Sequence, residues 1–126
     1  MKQLIFLLFA LIASRQTIAQ NTECLKKMRT GNFIYSDQGS QSVIIRTDKL
    51  QTEIFNNGQS RLILKIKWTS ETTYVLKLKK AINAPGCLKK GDRVTTTIIS
   101  CSGDEYVGAS TSKKCGDITT TYIRTK

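Results

Sequence analysis

The chain has no histidine. With it go the usual general base near neutral pH and the commonest ligand for zinc and haem. There is one proline, so little interrupts the strand-like runs. Acidic residues are scarce: 9 Asp and Glu stand against 20 Lys and Arg, for a formal net charge of +11. The cysteines number four but include no Cys-x-x-Cys, so neither a zinc knuckle nor a thioredoxin-like dithiol is indicated, and a four-cysteine metal site is the lesser alternative. No Gly-x-Ser-x-Gly elbow occurs, and no serine has a histidine to activate it. Enzymatic activity, a cofactor and a bound metal are therefore not expected.

The N-terminus carries an export signal. Lys2 supplies a positive start, Leu4 to Ala13 read "LIFLLFALIA", and Thr17 to Ala19 put small residues where a signal peptidase reads. Residues 1–19 are expected to be a secretory signal peptide cleaved before Gln20, leaving 20–126 as a single domain. The apolar run is half of the roughly twenty residues that a bilayer-crossing helix needs, and no other long apolar stretch follows. The expected destination is periplasmic or secreted, an oxidising compartment in which four cysteines read as two disulfides.

After the signal, the chain reads as strands. Turn sequences arrive at short, even spacing: "SDQGS" at Ser36, "NNGQ" at Asn56, "SE" at Ser70, "NAPG" at Asn83, "SGD" at Ser102 and "KKCGD" at Lys113. Between them, "RLILKIKW" alternates with Leu62, Leu64, Ile66 and Trp68 on one face. "TYVLKLKK" does the same, with Tyr74, Leu76 and Leu78 inside and Lys77 and Lys79 outside. "NFIY", "SVIIRT", "LQTEIF" and the Thr-rich "RVTTTIIS", "EYVGAST" and "DITTTYIRT" bring the set to about eight. One segment differs: "NTECLKKMRTG" opens on the cap residues Asn21 and Thr22 and ends on Gly31, predicting a short helical turn. The expected fold is all-β, an antiparallel up-and-down meander that closes on itself and so hides its edges.

Reversal of direction at every strand fixes which rim each cysteine reaches. Cys24 precedes strand one and Cys101 ends strand six, both at one end. Cys87 and Cys115 lie in connections at the other. Only cysteines of one rim can meet, so the pairs are expected to be Cys24–Cys101 and Cys87–Cys115. "CLKK" occurs at both Cys24 and Cys87, but the residues after it differ, so it marks no duplication.

A short helical turn, then "TGNFIY" with Gly-x-Phe at the start of strand one, then an eight-strand meander, resembles the lipocalin plan. Lipocalins carry Trp where this chain has Phe33. The arrangement "TGNFIY … IIRTDKLQTEI … KIKWTSETTYVLKL" is similar to a group of small exported lipocalin-like proteins of Bacteroidetes, some of which are called DNA topoisomerase IV. The chain is too short for an ATPase or a DNA gate, and it has no Gly-x-x-x-x-Gly-Lys-Ser/Thr loop. The resemblance implies a small barrel that holds an apolar or amphipathic ligand.

Two candidate sites follow. Phe33, Tyr35, Leu64, Ile66, Trp68, Tyr74, Leu76 and Leu78 are expected inside, where they either line a ligand pocket or fill a closed core, as small barrels often do. Arg61, Lys65 and Lys67 share the outer face of one strand and Lys77 and Lys79 that of the next, a patch suited to anionic lipid or glycan of a cell envelope. Few aromatics are left outside for base stacking, so nucleic acid is not an expected partner. The acidic residues Asp48, Glu53, Glu71, Asp92, Asp104, Glu105 and Asp117 fall mostly in turns or on outer faces, where they are expected to be solvated. A monomer is expected.

Overall fold

A computed structural model describes residues 22–37 and 39–126, so the expected signal peptide and the Asn21 cap lie outside the described residues. Eight antiparallel strands form a closed barrel in sequence order: β1 (Gly31–Asp37), β2 (Ser40–Arg46), β3 (Leu50–Phe55), β4 (Ser60–Trp68), β5 (Thr73–Ile82), β6 (Arg93–Ser102), β7 (Glu105–Ser112) and β8 (Gly116–Arg124). The meander expected from the turn spacing is the fold, and it matches a small lipocalin-like barrel.

One short helix, over residues 22–27, packs under the end of the barrel where β1 begins. Cys24 and Met28 are its buried contacts, and they join the core with Phe33, Ile44 and Tyr106. Gly31 does not cap this helix, as its position after "MRT" suggests, but opens β1 with a positive φ of 124°. A Cβ at Gly31 would collide with the Lys126 carbonyl and the Arg124 guanidinium, so only glycine lets the chain's last residues lie across its first strand.

Turn chemistry sets the register. The β3–β4 hairpin turns through Asn56, Asn57 and Gly58, all with positive φ (55°, 55° and 82°), the conformation that Asn and Gly tolerate. This turn pairs Phe55 with Ser60 and, counting back, Glu53 with Leu62 and Gln51 with Leu64. Residues opposite each other share a face, so Gln51 and Glu53 point inward with the leucines. Leu50 and Ile54 are turned outward.

Two β-bulges re-aim the later strands. One breaks the β4–β5 register after Leu78, whose partner is Leu64, so that Lys80 is the next paired residue. The other lies between Ile98 and Ser100 on β6, where Ile99 is skipped and is 61% exposed. Without that extra residue Cys101 would share the outward face of Thr97 and Ile99. The bulge turns it to the face of Ile98, opposite the buried Tyr106, and it meets Cys24 beneath the barrel.

Both expected disulfides are present. Cys24–Cys101 joins the helix to the end of β6, with Cα atoms 5.9 Å apart. Cys87–Cys115 joins the β5–β6 connection to the β7–β8 turn at the opposite rim, with Cα atoms 5.4 Å apart. Two disulfides are consistent with folding in an oxidising, exported environment. No helix among the described residues is long and apolar enough to cross a membrane.

Candidate functional site

The barrel interior divides into a packed floor and an open upper half. The floor is organised by Arg46, the last residue of β2, which is 2% exposed. Its guanidinium has a partner on every side. Nε donates to Gln51 Oε1 (2.9 Å), Nη1 to the Met28 carbonyl (2.7 Å), and Nη2 to the hydroxyls of Tyr106 (2.9 Å) and Tyr74 (3.4 Å). The Arg46 carbon sits 4.6 Å from the Phe33 ring centroid and 4.8 Å from that of Tyr74, within cation–π range of both. Burial works against its charge, but the electrostatic pull of the Tyr106 and Tyr74 phenol oxygens outweighs it and raises its pKa. A buried cation without a hydrogen-bonded carboxylate is tolerated here because each guanidinium nitrogen has found an acceptor.

Aromatic packing continues the seal. Phe33 meets Tyr106 edge-on at 5.9 Å, Tyr106 stacks on Tyr122 at 4.6 Å, and Tyr122 meets Tyr35 edge-on at 5.4 Å. Gly108 makes room for this column. A Cβ there would stand 2.9 Å from Thr96 Cγ2 and 3.2 Å from the Tyr122 ring. Burial pushes the Tyr106 phenol well above its ordinary pKa, and that of Tyr122 also rises, chiefly by burial and then through Tyr74 and Glu53. Both hydroxyls therefore stay neutral.

Above the column lies a cavity of about 690 Å³. Leu64, Leu76, Leu88 and Val94 form an apolar wall, and Thr96, Ser110 and Thr120 form a hydroxyl-bearing one. Thr96 and Ser110 are hydrogen-bonded to each other at 2.7 Å. The Cys87–Cys115 disulfide lies across the mouth and holds Leu88 against the core. Asp92 braces the same strap by accepting from the Lys89 amide (2.7 Å) and pairing with Lys114 (3.1 Å).

The cavity also reaches the seam between the first and last strands. β1 and β8 are in register only at Phe33–Arg124 and Ile34–Ile123, with Asn32 bonded to Lys126 and Thr125 just below. Further up, Tyr35 and Ser36 of β1 line the cavity together with Thr119, Thr120 and Thr121 of β8.

Among the described residues, one charged side chain lines this cavity. Glu53, on β3, accepts a hydrogen bond at Oε1 from Gln51 Nε2 (3.1 Å), and Gln51 in turn accepts from Arg46. Its other oxygen has no hydrogen-bond partner among the described residues, and Glu53 lines the cavity. Burial raises the Glu53 pKa, against the lowering pull of Gln51 and Arg46. The residue is half-buried and lines the cavity.

The candidate pocket residues are thus redistributed. Tyr35, Leu64 and Leu76 line the cavity. Phe33 and Tyr74 pack around Arg46 in the floor instead, because their position on the strands places them at the helix end. Ile66 and Leu78 are core residues, and Trp68 is half-buried at the lower rim with Arg29 4.8 Å above its ring. Glu53 corrects the expectation of solvated acids: the β3 register turns it inward. The candidate basic residues Arg61, Lys65, Lys67, Lys77 and Lys79 are all exposed, and Lys65 stands directly opposite Lys77. Lys49, Lys65, Lys77, Lys79 and Lys90 border an outer groove of about 870 Å³ whose lining includes no acidic residue. Among the described residues no group of three or more His, Cys, Asp or Glu is placed to hold a metal ion. No protein-family model, curated protein or solved structure matches the chain.

Proposed function

We propose that this protein is an exported, non-catalytic binding protein that holds a small apolar or amphipathic molecule in the upper half of its barrel. The observation that supports this most is the cavity itself. Its volume of about 690 Å³ falls within the range of small-molecule pockets, and its two walls differ in polarity. A fully filled interior would leave no such space. The test is binding of a neutral apolar fluorophore, N-phenyl-1-naphthylamine, to the protein purified without detergent, alongside native mass spectrometry for a co-purifying lipid. Ile118 lines the cavity yet is 58% exposed, so Ile118→Trp obstructs the space while leaving the core untouched. The variant is expected to bind the fluorophore about tenfold more weakly, a loss of about 1.4 kcal/mol. Equal binding by the parent and the variant would place the fluorophore elsewhere and count against the reading.

A second reading rests on the outer groove. Like charges directly opposite on adjacent strands repel, and Lys65 and Lys77 are such a pair with further lysines around them. An anionic surface would relieve that repulsion. In this reading the protein docks on anionic envelope lipid or glycan through Arg61, Lys65, Lys67, Lys77 and Lys79. Binding to phosphatidylglycerol vesicles, but not phosphatidylcholine vesicles, should weaken steeply with salt and disappear when the four lysines are changed to Glu. Binding that survives this reversal would eliminate the idea.

A further inference from the structure

The barrel's outside and inside carry opposite electrostatic demands. Outside, the exposed lysines of a chain with a formal net charge of +11 favour anions. Inside, the available charge is negative. Arg46 is withdrawn from a ligand: each of its nitrogens is engaged, by Gln51, Met28, Tyr74 and Tyr106, and it is buried under the aromatic column. Glu53 is not paired with it directly, since Gln51 stands between them. One carboxylate oxygen therefore faces the cavity without a partner.

The surrounding groups sharpen this polarity. Tyr35 from β1 and Tyr122 from β8 line the same space, burial keeps the Tyr122 phenol neutral, and Thr96, Ser110 and Thr120 add hydroxyls. Among the described residues no lysine or arginine lines the cavity. A fatty-acid carboxylate in this space would meet Glu53 with no cation to receive it. An alcohol would gain one neutral-to-charged hydrogen bond. A protonated amine would gain a charge-assisted bond in a site of low dielectric, where such bonds are strongest.

Building on the reading of the cavity as a ligand site, we propose that Glu53 sets its specificity: the interior takes a cationic amphiphile, its apolar body against Leu64, Leu76 and Val94 and its ammonium group on the free Glu53 oxygen. Occupation completes a line of alternating partners from Arg46 through Gln51 and Glu53 to the ligand. Burial raises the Glu53 pKa, and pairing with an ammonium group would draw it down.

The test compares three probes with one apolar body: octylamine, octanol and octanoate. Each is titrated calorimetrically into the full mature chain and into Glu53→Gln, in about 0.15 M salt to screen the outer lysines. The expected result is that octylamine binds the parent about tenfold more tightly than octanol, that octanoate is weakest, and that Glu53→Gln removes the preference. If octanol or octanoate binds as tightly as octylamine, or the amine preference survives in Glu53→Gln, the role of Glu53 is overturned while the cavity reading stands. If none of the three binds either protein, both fall. A second measurement does not depend on the variant folding. In the parent, the Glu53 side-chain carboxyl ¹³C resonance should move toward its ionised position on adding octylamine but not on adding octanol. A resonance indifferent to the amine would also overturn the proposal.

Discussion

Arg46 and Glu53 lie on neighbouring strands, face the same interior and meet opposite surroundings. Arg46 is enclosed by three aromatic rings and hydrogen-bonded at every nitrogen, and it ties the helix carbonyl of Met28 to three strands. Glu53 has one hydrogen bond and an open side. The contrast runs through the whole barrel. At the floor, large side chains and a helix exclude water. Above them the β6–β8 side of the wall carries Val94, Thr96, Ser110 and Thr120, shorter than the leucines of β4 and β5. A filled core and an open cavity, which inspection of the apolar residues leaves as rival outcomes, are the two ends of one barrel. The lesson is that side-chain length along the Thr-rich β6–β8 half, not the strand number, decides where the interior stays empty.

The two disulfides follow the same division and offer the largest expected effect. Cys24–Cys101 closes a sequence separation of 77 residues and is partly buried in the floor, whereas Cys87–Cys115 spans 28 residues on the exposed strap. Chain entropy alone assigns about 4.5 kcal/mol to the first and about 3.5 kcal/mol to the second. Removing Cys24 also strips a buried contact from the helix that closes the barrel. Unfolding in urea should therefore show Cys24→Ser/Cys101→Ser losing more stability than Cys87→Ser/Cys115→Ser. Binding should respond in the reverse order, because only the strap lies against the cavity. A strap variant that is the less stable of the two, or a floor variant that alone releases ligand faster, would break the contrast.

Much of this plan is legible in the residues. Asn-Asn-Gly, Asn-Ala-Pro-Gly and Ser-Gly-Asp mark rims, alternation marks strands, and the rims pair the cysteines. Facing is harder to read. In "LQTEIF" the apolar residues Leu50 and Ile54 suggest an inward face, yet they point out. Alternation says only that two faces differ. The choice between them belongs to the hairpin, which sets Glu53 opposite Leu62 and Gln51 opposite Leu64. Counting back from the "NNGQ" turn would have found both, and the next turn places Arg46 opposite Gln51. The β6 bulge has no comparable signal. "TTTIIS" contains no glycine or proline, and the extra residue is forced by the need to bring both Tyr106 and the floor disulfide to the inner face.

The smallest effect separates the two regions by pH. Burial holds the folded Glu53 carboxyl above its ordinary pKa, more strongly than Gln51 and Arg46 pull it down. Between its ordinary and its raised value, the folded barrel keeps a proton that the unfolded chain has lost. Stability from this group is therefore fullest below the ordinary carboxylate pKa, falls as pH rises through that window, and levels off above the raised value. Asp92 and Asp104 at the exposed rims run the other way. The Lys89 amide and Lys114 hold the first down and Lys27 the second, so their contribution is present above the ordinary carboxylate pKa and is lost as pH falls through their lowered values. Urea midpoints measured from about pH 3 to about pH 8 should then show the rim acids at the low end and the interior acid above them. Glu53→Gln should flatten the upper part and leave the lower part alone. In the parent, saturating octylamine should flatten the same part, since an ammonium on the open oxygen removes the reason for Glu53 to hold its proton. A Glu53→Gln profile that superimposes on the parent's would mean that Glu53 is as solvated as the rim acids, and the interior would then have no charge of its own with which to choose a ligand.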